Sequence, residues 1–394
     1  MRQVSMLDLR REYEYMREDI DGALKKCLEH QKWILGPEVK ELEDRIGSYL
    51  GVKHCVGISS GTDALVLSLR ALAIKLKGRD YFEEDELIIT TPFTFTATGD
   101  AILRAGATPV FVDIDPHTYN IDAAKVKEFL ETGDSRVVGI LPVHLYGQTC
   151  DMTGLMTLAS QYGLFVLEDV AQAFGATWNG NRLGSLGSAG AFSFFPSKNL
   201  GGFGDAGMVA TNHEEIAELV RVLLRHGGKD KYNVDHIGYN ARLDTLQGAV
   251  LLAKLRYIDE FNGLRRKIAE TYTKNLECIA GLSLPSTLNP AFPLSHFSMT
   301  NSLHVFHQYT VRVTARDKFQ DYLKAKGIAT MIYYPFPLHK MKVFKGRMLT
   351  AGQLANAERA AGEVLSLPIE PLQKDEETAY IIDSVKQFFQ ESAC

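Results

Sequence analysis

The feature that most constrains this chain is an alternation. Short apolar runs rich in Val, Ile and Phe are followed, over roughly two hundred residues, by stretches of helical period. The runs predict strands at Leu87–Thr90, Val110–Ile114, Val137–Val143, Phe165–Glu168, Ala191–Phe194 and Met208–Thr211. They are mostly apolar without alternation, the pattern of strands covered on both faces. Strand, helix and strand in repetition predict an α/β sandwich around a mostly parallel sheet.

The flanks read differently. Two helices open the chain: Ile20, Leu24, Cys27 and Leu28 recur at helical spacing, Gly36-Pro37 interrupts, and Val39, Leu42 and Ile46 resume the period. Lys75 to Glu86 is a charged stretch and predicts a solvated loop. After Asp259 a polar helix, Phe261–Leu276, leads into a Pro-rich loop from Pro285 to Pro293. A strand at Gln308–Val313, a helix at Asp317–Lys326, a strand at Met331–Tyr334 and a helix-rich tail follow. The expected organisation is therefore N-terminal helices plus a large domain over 1–258 and a smaller α+β domain over 259–394, a length that suits two domains.

Composition excludes several function classes. With 43 basic and 48 acidic residues the net charge is −5, and no basic stripe offers itself to nucleic acid. Charge recurs every few residues from Met1 to Leu24, so a secretory leader is not expected there. The apolar runs are far shorter than the ~20 residues that span a bilayer. Five cysteines, Cys27, Cys55, Cys150, Cys278 and Cys394, form no C-x-x-C pair, and scattered thiols fit a reducing cytoplasm. No nucleic-acid, membrane or metal partner is expected.

Five clusters sit where predicted strands meet loops, the rim at which open α/β sheets bind ligands. Ser59-Ser60-Gly61-Thr62-Asp63 opens the helix Ala64–Leu72; its free N–H groups suit a phosphate, although taken alone the cluster reads as a plain helix cap. Glu168-Asp169-Val170-Ala171-Gln172 ends an apolar strand, where a carboxylate either caps a helix or meets a buried cationic ring nitrogen. Ser193-Phe194-Phe195-Pro196-Ser197-Lys198-Asn199 holds a lysine in an apolar, glycine-flanked segment. Desolvation lowers an amine's pKa and makes it nucleophilic. Gly202-Phe203-Gly204-Asp205-Ala206-Gly207 matches G-x-G-x-x-G but precedes a strand instead of following one, so dinucleotide binding is rejected. Gly238-Tyr239-Asn240-Ala241-Arg242-Leu243-Asp244 precedes a helix and is either its cap or a polar hand for an anion.

Together these segments resemble the DegT/DnrJ/StrS family of pyridoxal-phosphate-dependent nucleotide-sugar aminotransferases. The matching residues include Ser60-Gly61-Thr62-Asp63-Ala64-Leu65, Glu168-Asp169-Val170-Ala171-Gln172-Ala173-Phe174-Gly175, Phe192-Ser193-Phe194-Phe195-Pro196-Ser197-Lys198-Asn199 and Gly238-Tyr239-Asn240-Ala241-Arg242. Gly106 to Asp113, Pro142 to Gln148 and Tyr333-Tyr334-Pro335 extend the likeness, which runs in order from about Gly36 to Leu338.

The resemblance implies a fold-type I aminotransferase: a large domain with a mixed, mostly parallel sheet, a smaller C-terminal α+β domain, and a homodimer with active sites at the interface. It implies that Lys198 is the Schiff-base lysine, that Asp169 pairs with the pyridine nitrogen and that Gln172 bonds the ring hydroxyl oxygen. Phe95 would stack on the ring; Gly61, Thr62, Asp63 and Ser193 would hold the phosphate, joined by Asn240 from the other subunit. His307, Tyr309, Tyr334 and His339 would face the sugar substrate, and L-glutamate would donate the nitrogen.

Lys198-Asn199-Leu200-Gly201 followed by Gly204-Asp205-Ala206-Gly207 resembles the branch that aminates C3, which points to a dTDP-linked 3-keto-6-deoxyhexose. The alternatives are a C4 aminotransferase on a dTDP- or UDP-4-keto sugar and, from another class, a non-catalytic sensor or scaffold. A relative that removes a hydroxyl carries histidine at the lysine position, and Lys198 argues against it. Two departures stand out: Lys75–Glu86 is longer than usual for the family, and Phe203 falls where the family varies, a place that bears on sugar choice.

Overall fold

The structure, a computed structural model, describes residues 3–230, 232–286 and 302–392. Most of the expected Pro285–Pro293 loop, and Cys394, lie outside the described residues.

Helix α1 (Leu9–His30) starts at Asp8, whose carboxylate accepts from the Arg10 and Arg11 N–H groups, both at 3.1 Å. Its buried stripe is Glu12, Met16, Ile20 and Cys27, whereas Leu28 is exposed; the expected apolar face is rotated because Glu12 turns inward to pair with Lys254. Helix α2 (Pro37–Leu50) takes Pro in its first turn and ends at Gly51 in the left-handed region, the usual asymmetry of start and stop.

The alternating region follows as β1 (His54–Ile58), α3 (Gly61–Lys77), β2 (Leu87–Thr90), α4 (Thr96–Arg104), β3 (Thr108–Val112), α5 (Ala123–Leu130), β4 (Val137–Leu141), α6 (Met152–Tyr162) and β5 (Phe165–Asp169). A short hairpin, β6 (Thr177–Trp178) and β7 (Asn181–Arg182), leads to β8 (Ala189–Ser193), β9 (Gly207–Thr211), α7 (Glu214–Leu223), α8 (Thr245–Leu255) and α9 (Ile258–Leu276). The remainder comprises β10 (Leu282–Ser283), β11 (Tyr309–Val313), α10 (Arg316–Ala325), β12 (Leu349–Ala351), α11 (Ala355–Glu363), β13 (Val364–Leu367) and α12 (Asp375–Ser392).

The large sheet has eight strands in the order β1-β9-β8-β5-β4-β2-β3-β12. Only β9 runs antiparallel to its neighbours. The apolar runs are explained by the layers. Ile88 joins one core with α3, α4 and α7, while Leu87 and Ile89 join another with α5 and α6. Successive side chains leave opposite faces, so a strand covered on both needs apolar residues throughout. Toward the β1 edge, Met208 and Phe192 pack instead on α2 and α8 residues such as Leu42 and Leu251.

The C-terminal part is not cut cleanly at 258. β10, β11 and β13 form a three-stranded sheet packed on α9, α10 and α12 through Tyr272, Phe319 and Val385. Yet β12 extends the edge of the large sheet beside β3, and Asp113 at the end of β3 accepts from the backbone N–H groups of Asn356 and Ala357 at 3.0 and 2.9 Å. In the other direction, Val4 bridges Ile328 and Arg11 pairs with Glu370 and Glu377, so the N-terminus reaches the small domain.

Two local expectations are corrected. Met331–Tyr334 makes a single bridge, Met331 to Ser366, and is no strand. The Lys75–Glu86 stretch is not a free loop: α3 continues to Lys77, Glu86 pairs with Lys77 and Arg79, and Phe82 is buried against Phe165 with ring centroids 5.8 Å apart. Among the described residues no helix is long and apolar enough to cross a membrane.

Candidate active site

The site lies at the C-terminal ends of β1, β5 and β8, where α3 begins. Ser60 caps α3 by accepting from the Asp63 N–H at 3.1 Å. Gly61 and Thr62 stand before the first intrahelical donor, Ala64, so their N–H groups have no acceptor within the helix and lie at the positive end of its dipole. Position 61 has to be glycine: a Cβ there would lie 2.5 Å from Ser193 Cβ. Helix start and β8 end therefore form one narrow cradle that carries the Ser193 hydroxyl. Asp63 departs from the expectation. Its carboxylate accepts from Ser59 and Ser60 at 2.5 and 2.9 Å and its N–H is taken by Ser60, so it braces the cradle and offers an anion no donor.

The last two residues of β5 face opposite ways. Glu168 accepts from the N–H groups of Gly184, Leu186 and Gly187, all at 2.8 Å, and from His144 Nε2 at 3.2 Å. His144 Nδ1 accepts from the Cys150 N–H at 3.1 Å, which fixes the Nε2–H tautomer. Asp169 is buried; its Oδ2 accepts from Thr98 at 2.9 Å and its Oδ1 from the Ala171 N–H at 3.1 Å. Burial pushes its pKa up, opposed by these two donors and by the charge of Lys198. The Thr98 proton goes to Asp169, so in the Thr94–Thr98 contact at 3.1 Å Thr94 donates.

Lys198 stands in the loop between β8 and β9. Burial pulls its ammonium down to about 8, opposed by the charge of Asp169. The loop is rigid at its neck, where the Phe194 N–H meets Ala206 O at 2.7 Å and the Gly202 N–H meets Phe194 O at 2.8 Å. Phe203 packs against the Tyr13 ring at 6.2 Å and its N–H donates to Gln247 at 2.7 Å, so it docks the loop on α1 and α8.

Around this pair the walls are aromatic. Gln172 Oε1 accepts from the Tyr146 N–H at 2.8 Å and its Nε2 donates to the Tyr334 hydroxyl at 2.9 Å. Tyr146 donates its own hydroxyl to Tyr333 O. Phe95, ahead of α4, lies 6.1 Å from the Tyr334 ring and is 56% exposed.

The remaining expected residues divide. His307 is buried near Lys198, whose charge adds to burial in holding its pKa well below the ordinary value. Asn240 is exposed, next to the segment that bonds β1 through Ala241 O and the Ser59 N–H at 3.1 Å. Tyr309 is a core residue instead of a substrate contact: its ring is 5.0 Å from Tyr272 and its hydroxyl meets Thr273 at 2.9 Å. His339 is likewise engaged elsewhere, its Nε2 bonded to Glu358 on α11 at 2.9 Å. Thr98, Glu168 and His144 were not singled out as site residues by sequence; the one signal for Thr98 is its hydroxyl four residues after Thr94 at a helix start.

Among the described residues one trio, Cys27, His30 and Glu38, brings three ligating atoms within 4.8 Å of one another. His30 Nε2 donates to Glu38 at 2.9 Å and Nδ1 accepts from the Lys32 N–H at 3.0 Å, so neither ring nitrogen is left over for an ion.

The residues present fit pyridoxal phosphate. A buried carboxylate that meets no hydrogen-bonded cation among the described residues, and a desolvated amine beside it, are each costly alone. A protonated ring nitrogen would satisfy the first and an aldehyde the second. The Gly61–Ser193 cradle suits the phosphate.

Comparison with known proteins agrees. The model of the DegT/DnrJ/EryC1/StrS aminotransferase family matches residues 14–386. A Geobacillus stearothermophilus relative named as a pleiotropic regulatory protein is 44% identical over 99% of this chain and 100% of its own. One from Acidithiobacillus ferrooxidans, named as a UDP-N-acetyl-3-dehydro-alpha-D-glucosamine 3-aminotransferase, is 42% identical over 98% of this chain and 97% of its own. The crystal structure of S. venezuelae DesV in complex with a ketimine intermediate superposes with a TM-score of 0.90 at 36% identity, covering 99% of each chain.

Proposed function

The chain belongs to the DegT/DnrJ/EryC1/StrS aminotransferase family, and we propose that it moves an amino group from L-glutamate to C3 of a dTDP-linked 3-keto-6-deoxyhexose. The protein is a pyridoxal-phosphate-dependent nucleotide-sugar aminotransferase. What supports the site assignment is the buried Asp169 carboxylate, held by Thr98 and the Ala171 N–H, with the Lys198 amine near enough to feel its charge and the Gly61–Ser193 cradle beside them.

Bound pyridoxal phosphate supplies the electron sink for the pair left behind when the donor's α-proton departs. This chain's residues do the rest. Asp169, aligned by Thr98 and the Ala171 N–H, keeps the ring nitrogen protonated. Lys198 Nζ, its basicity lowered by burial, would be the base that takes up the donor's α-proton and gives it back at the cofactor's own carbon. The N–H groups of Gly61 and Thr62 with the Ser193 hydroxyl bind the phosphate. Gln172 Nε2 keeps a second proton for the ring hydroxyl oxygen, and Phe95 covers the ring. Asn240 reaches the phosphate of the partner subunit in a homodimer. His307 and Tyr334 line the sugar side.

Amination at C3 rests on the Lys198-Asn199-Leu200-Gly201 and Gly204-Asp205-Ala206-Gly207 loop, and the A. ferrooxidans relative is named for the same carbon with a UDP sugar. The second reading is therefore the same carbon on a UDP-linked sugar. The test is incubation with glutamate and a panel of 3-keto and 4-keto sugars linked to dTDP or UDP, with product mass and NMR locating the new C–N bond. An amine at C4 overturns the regiochemistry. Protein that stays colourless after incubation with pyridoxal phosphate overturns the enzyme assignment in favour of a scaffold.

A further inference from the structure

Arg70 is fully buried in the third turn of α3, the helix whose first turn forms the phosphate cradle. Each of its three guanidinium nitrogens donates a hydrogen bond. Nη1 donates to the Tyr239 hydroxyl at 3.0 Å and Nη2 to Ile237 O at 2.9 Å. Nε donates to Asp80 O, and the guanidinium lies 3.7 Å from the centre of the Tyr81 ring. Asp80 completes the arrangement, with Oδ1 bonded to His236 Nδ1 at 2.6 Å and Oδ2 accepting from the Ile237 N–H at 3.1 Å. Its own segment is anchored, because the Phe82 N–H donates to Ala105 O at 2.9 Å.

One buried cation thus ties α3 to two loops: the stretch 79–82 and the stretch 236–239. The second stretch is closed on itself where Gly227 and Gly238 meet; a Cβ on Gly238 would lie 2.0 Å from Gly227 N. Asn240 follows directly. We infer that Arg70 and Asp80 are positioning residues that set where Asn240 emerges for the phosphate of the partner subunit's cofactor. The inference rests on the assignment of Asn240 proposed above. Hydrogen bonds to charged groups are the stronger ones, and a burial this complete leaves the guanidinium no alternative partner.

The test is titration of the full-length apoprotein with pyridoxal phosphate and, separately, with pyridoxal, which lacks the phosphate. Asp80 is partly exposed, so Asp80→Ala keeps the fold; Arg70→Met serves as a second variant with a larger expected effect. Asp80→Ala is expected to weaken pyridoxal phosphate about tenfold, the equivalent of about 1.4 kcal/mol, with pyridoxal affinity and dimer mass unchanged. The double variant Asp80→Ala/Asn240→Ala is expected to be no weaker than Asn240→Ala alone, since residues acting through one another are not additive. Wild-type affinity in Asp80→Ala, equal losses for both ligands, or additive losses in the double variant would overturn the positioning role alone. Wild-type affinity in Asn240→Ala would remove the assignment of Asn240 and the inference with it.

Discussion

His307 donates its Nδ1 proton to Asn199 Oδ1, 3.1 Å away and one residue beyond Lys198. The direction is fixed by the rest of the chain of bonds. Asn199 Nδ2 donates to Asn262 Oδ1 at 2.7 Å and to Val305 O at 3.2 Å, and Asn262 Nδ2 donates to Phe174 O at 3.1 Å. Asn199 therefore has only its oxygen left for the histidine, which leaves Nε2 as an unprotonated acceptor.

This bonding makes Asn199→Asp a costly change of one atom. It removes the donor to Asn262 and Val305 and buries a carboxylate among acceptors. The expected loss is about 2–4 kcal/mol of stability in chemical denaturation, from unsatisfied groups costing ~1–3 kcal/mol each. Nitrogen NMR of His307 in the wild type should show the Nδ1–H tautomer without titration between pH 5 and 9, because burial and Lys198 keep the ring neutral. A ring that titrates in that window would contradict the bonding.

The depressed Lys198 ammonium sets a pH dependence. Only the neutral amine attacks an aldehyde, and with a pKa of about 8 roughly a tenth is neutral at pH 7. The rate at which apoprotein captures pyridoxal phosphate should rise about tenfold per pH unit below 8 and level off above it. A rate still climbing at pH 10 would indicate an ordinary, solvated lysine.

Gly61→Ala tests the cradle. The added methyl must displace Ser193 or the first turn of α3, since no room exists at 2.5 Å. Overpacking of this kind costs about 1–3 kcal/mol, so pyridoxal phosphate affinity should drop roughly ten- to hundredfold. Pyridoxal, with no phosphate to seat, should be affected much less.

The last prediction concerns stability away from the site. Lys254 on α8 and Glu12 on α1 are an ion pair buried between the two helices. Lys254→Met leaves the Glu12 carboxylate uncompensated and should cost about 3–5 kcal/mol. Adding Glu12→Gln should restore most of the loss; equal instability of single and double variants would show that the pair's charge is not what matters.

What could be read in advance follows from which interactions are local. β2 was legible at its bounds, Leu87–Thr90, because a charged stretch precedes it and Thr91-Pro92 follows. β1 was missed: His54-Cys-Val-Gly-Ile58 is short and broken by glycine, and its strand character comes from pairing with β9. β13 is not evident in the sequence because it is four residues long and follows α11 with no intervening loop, Glu363 ending the one and Val364 starting the other. The Met331–Tyr334 run reads as a strand, but the Tyr334 hydroxyl accepts from Gln172 and the Tyr333 carbonyl from the Tyr146 hydroxyl instead of joining a ladder. Among the candidate site residues, Asp169 and Ser193 stand out in the sequence as polar residues at the ends of apolar strands, and Lys198 as a lysine in an apolar, glycine-flanked segment. Glu168 stands in the same cluster, but its task is not legible there, because it gathers three N–H groups from residues sixteen to nineteen positions ahead. Tyr309 misled because a tyrosine in a family-like segment gives no hint of whether its hydroxyl meets Thr273 or a ligand.

The loop bearing Lys198 leaves and rejoins the sheet on adjacent rungs, since Ser193 pairs with Gly207 across two antiparallel strands. Departure and return are thus stapled side by side, and what hangs between them is topologically a detachable insert. Its length and side chains can be exchanged over evolutionary time without a single strand changing neighbours, so one scaffold can host new chemistries by rewriting that insert alone.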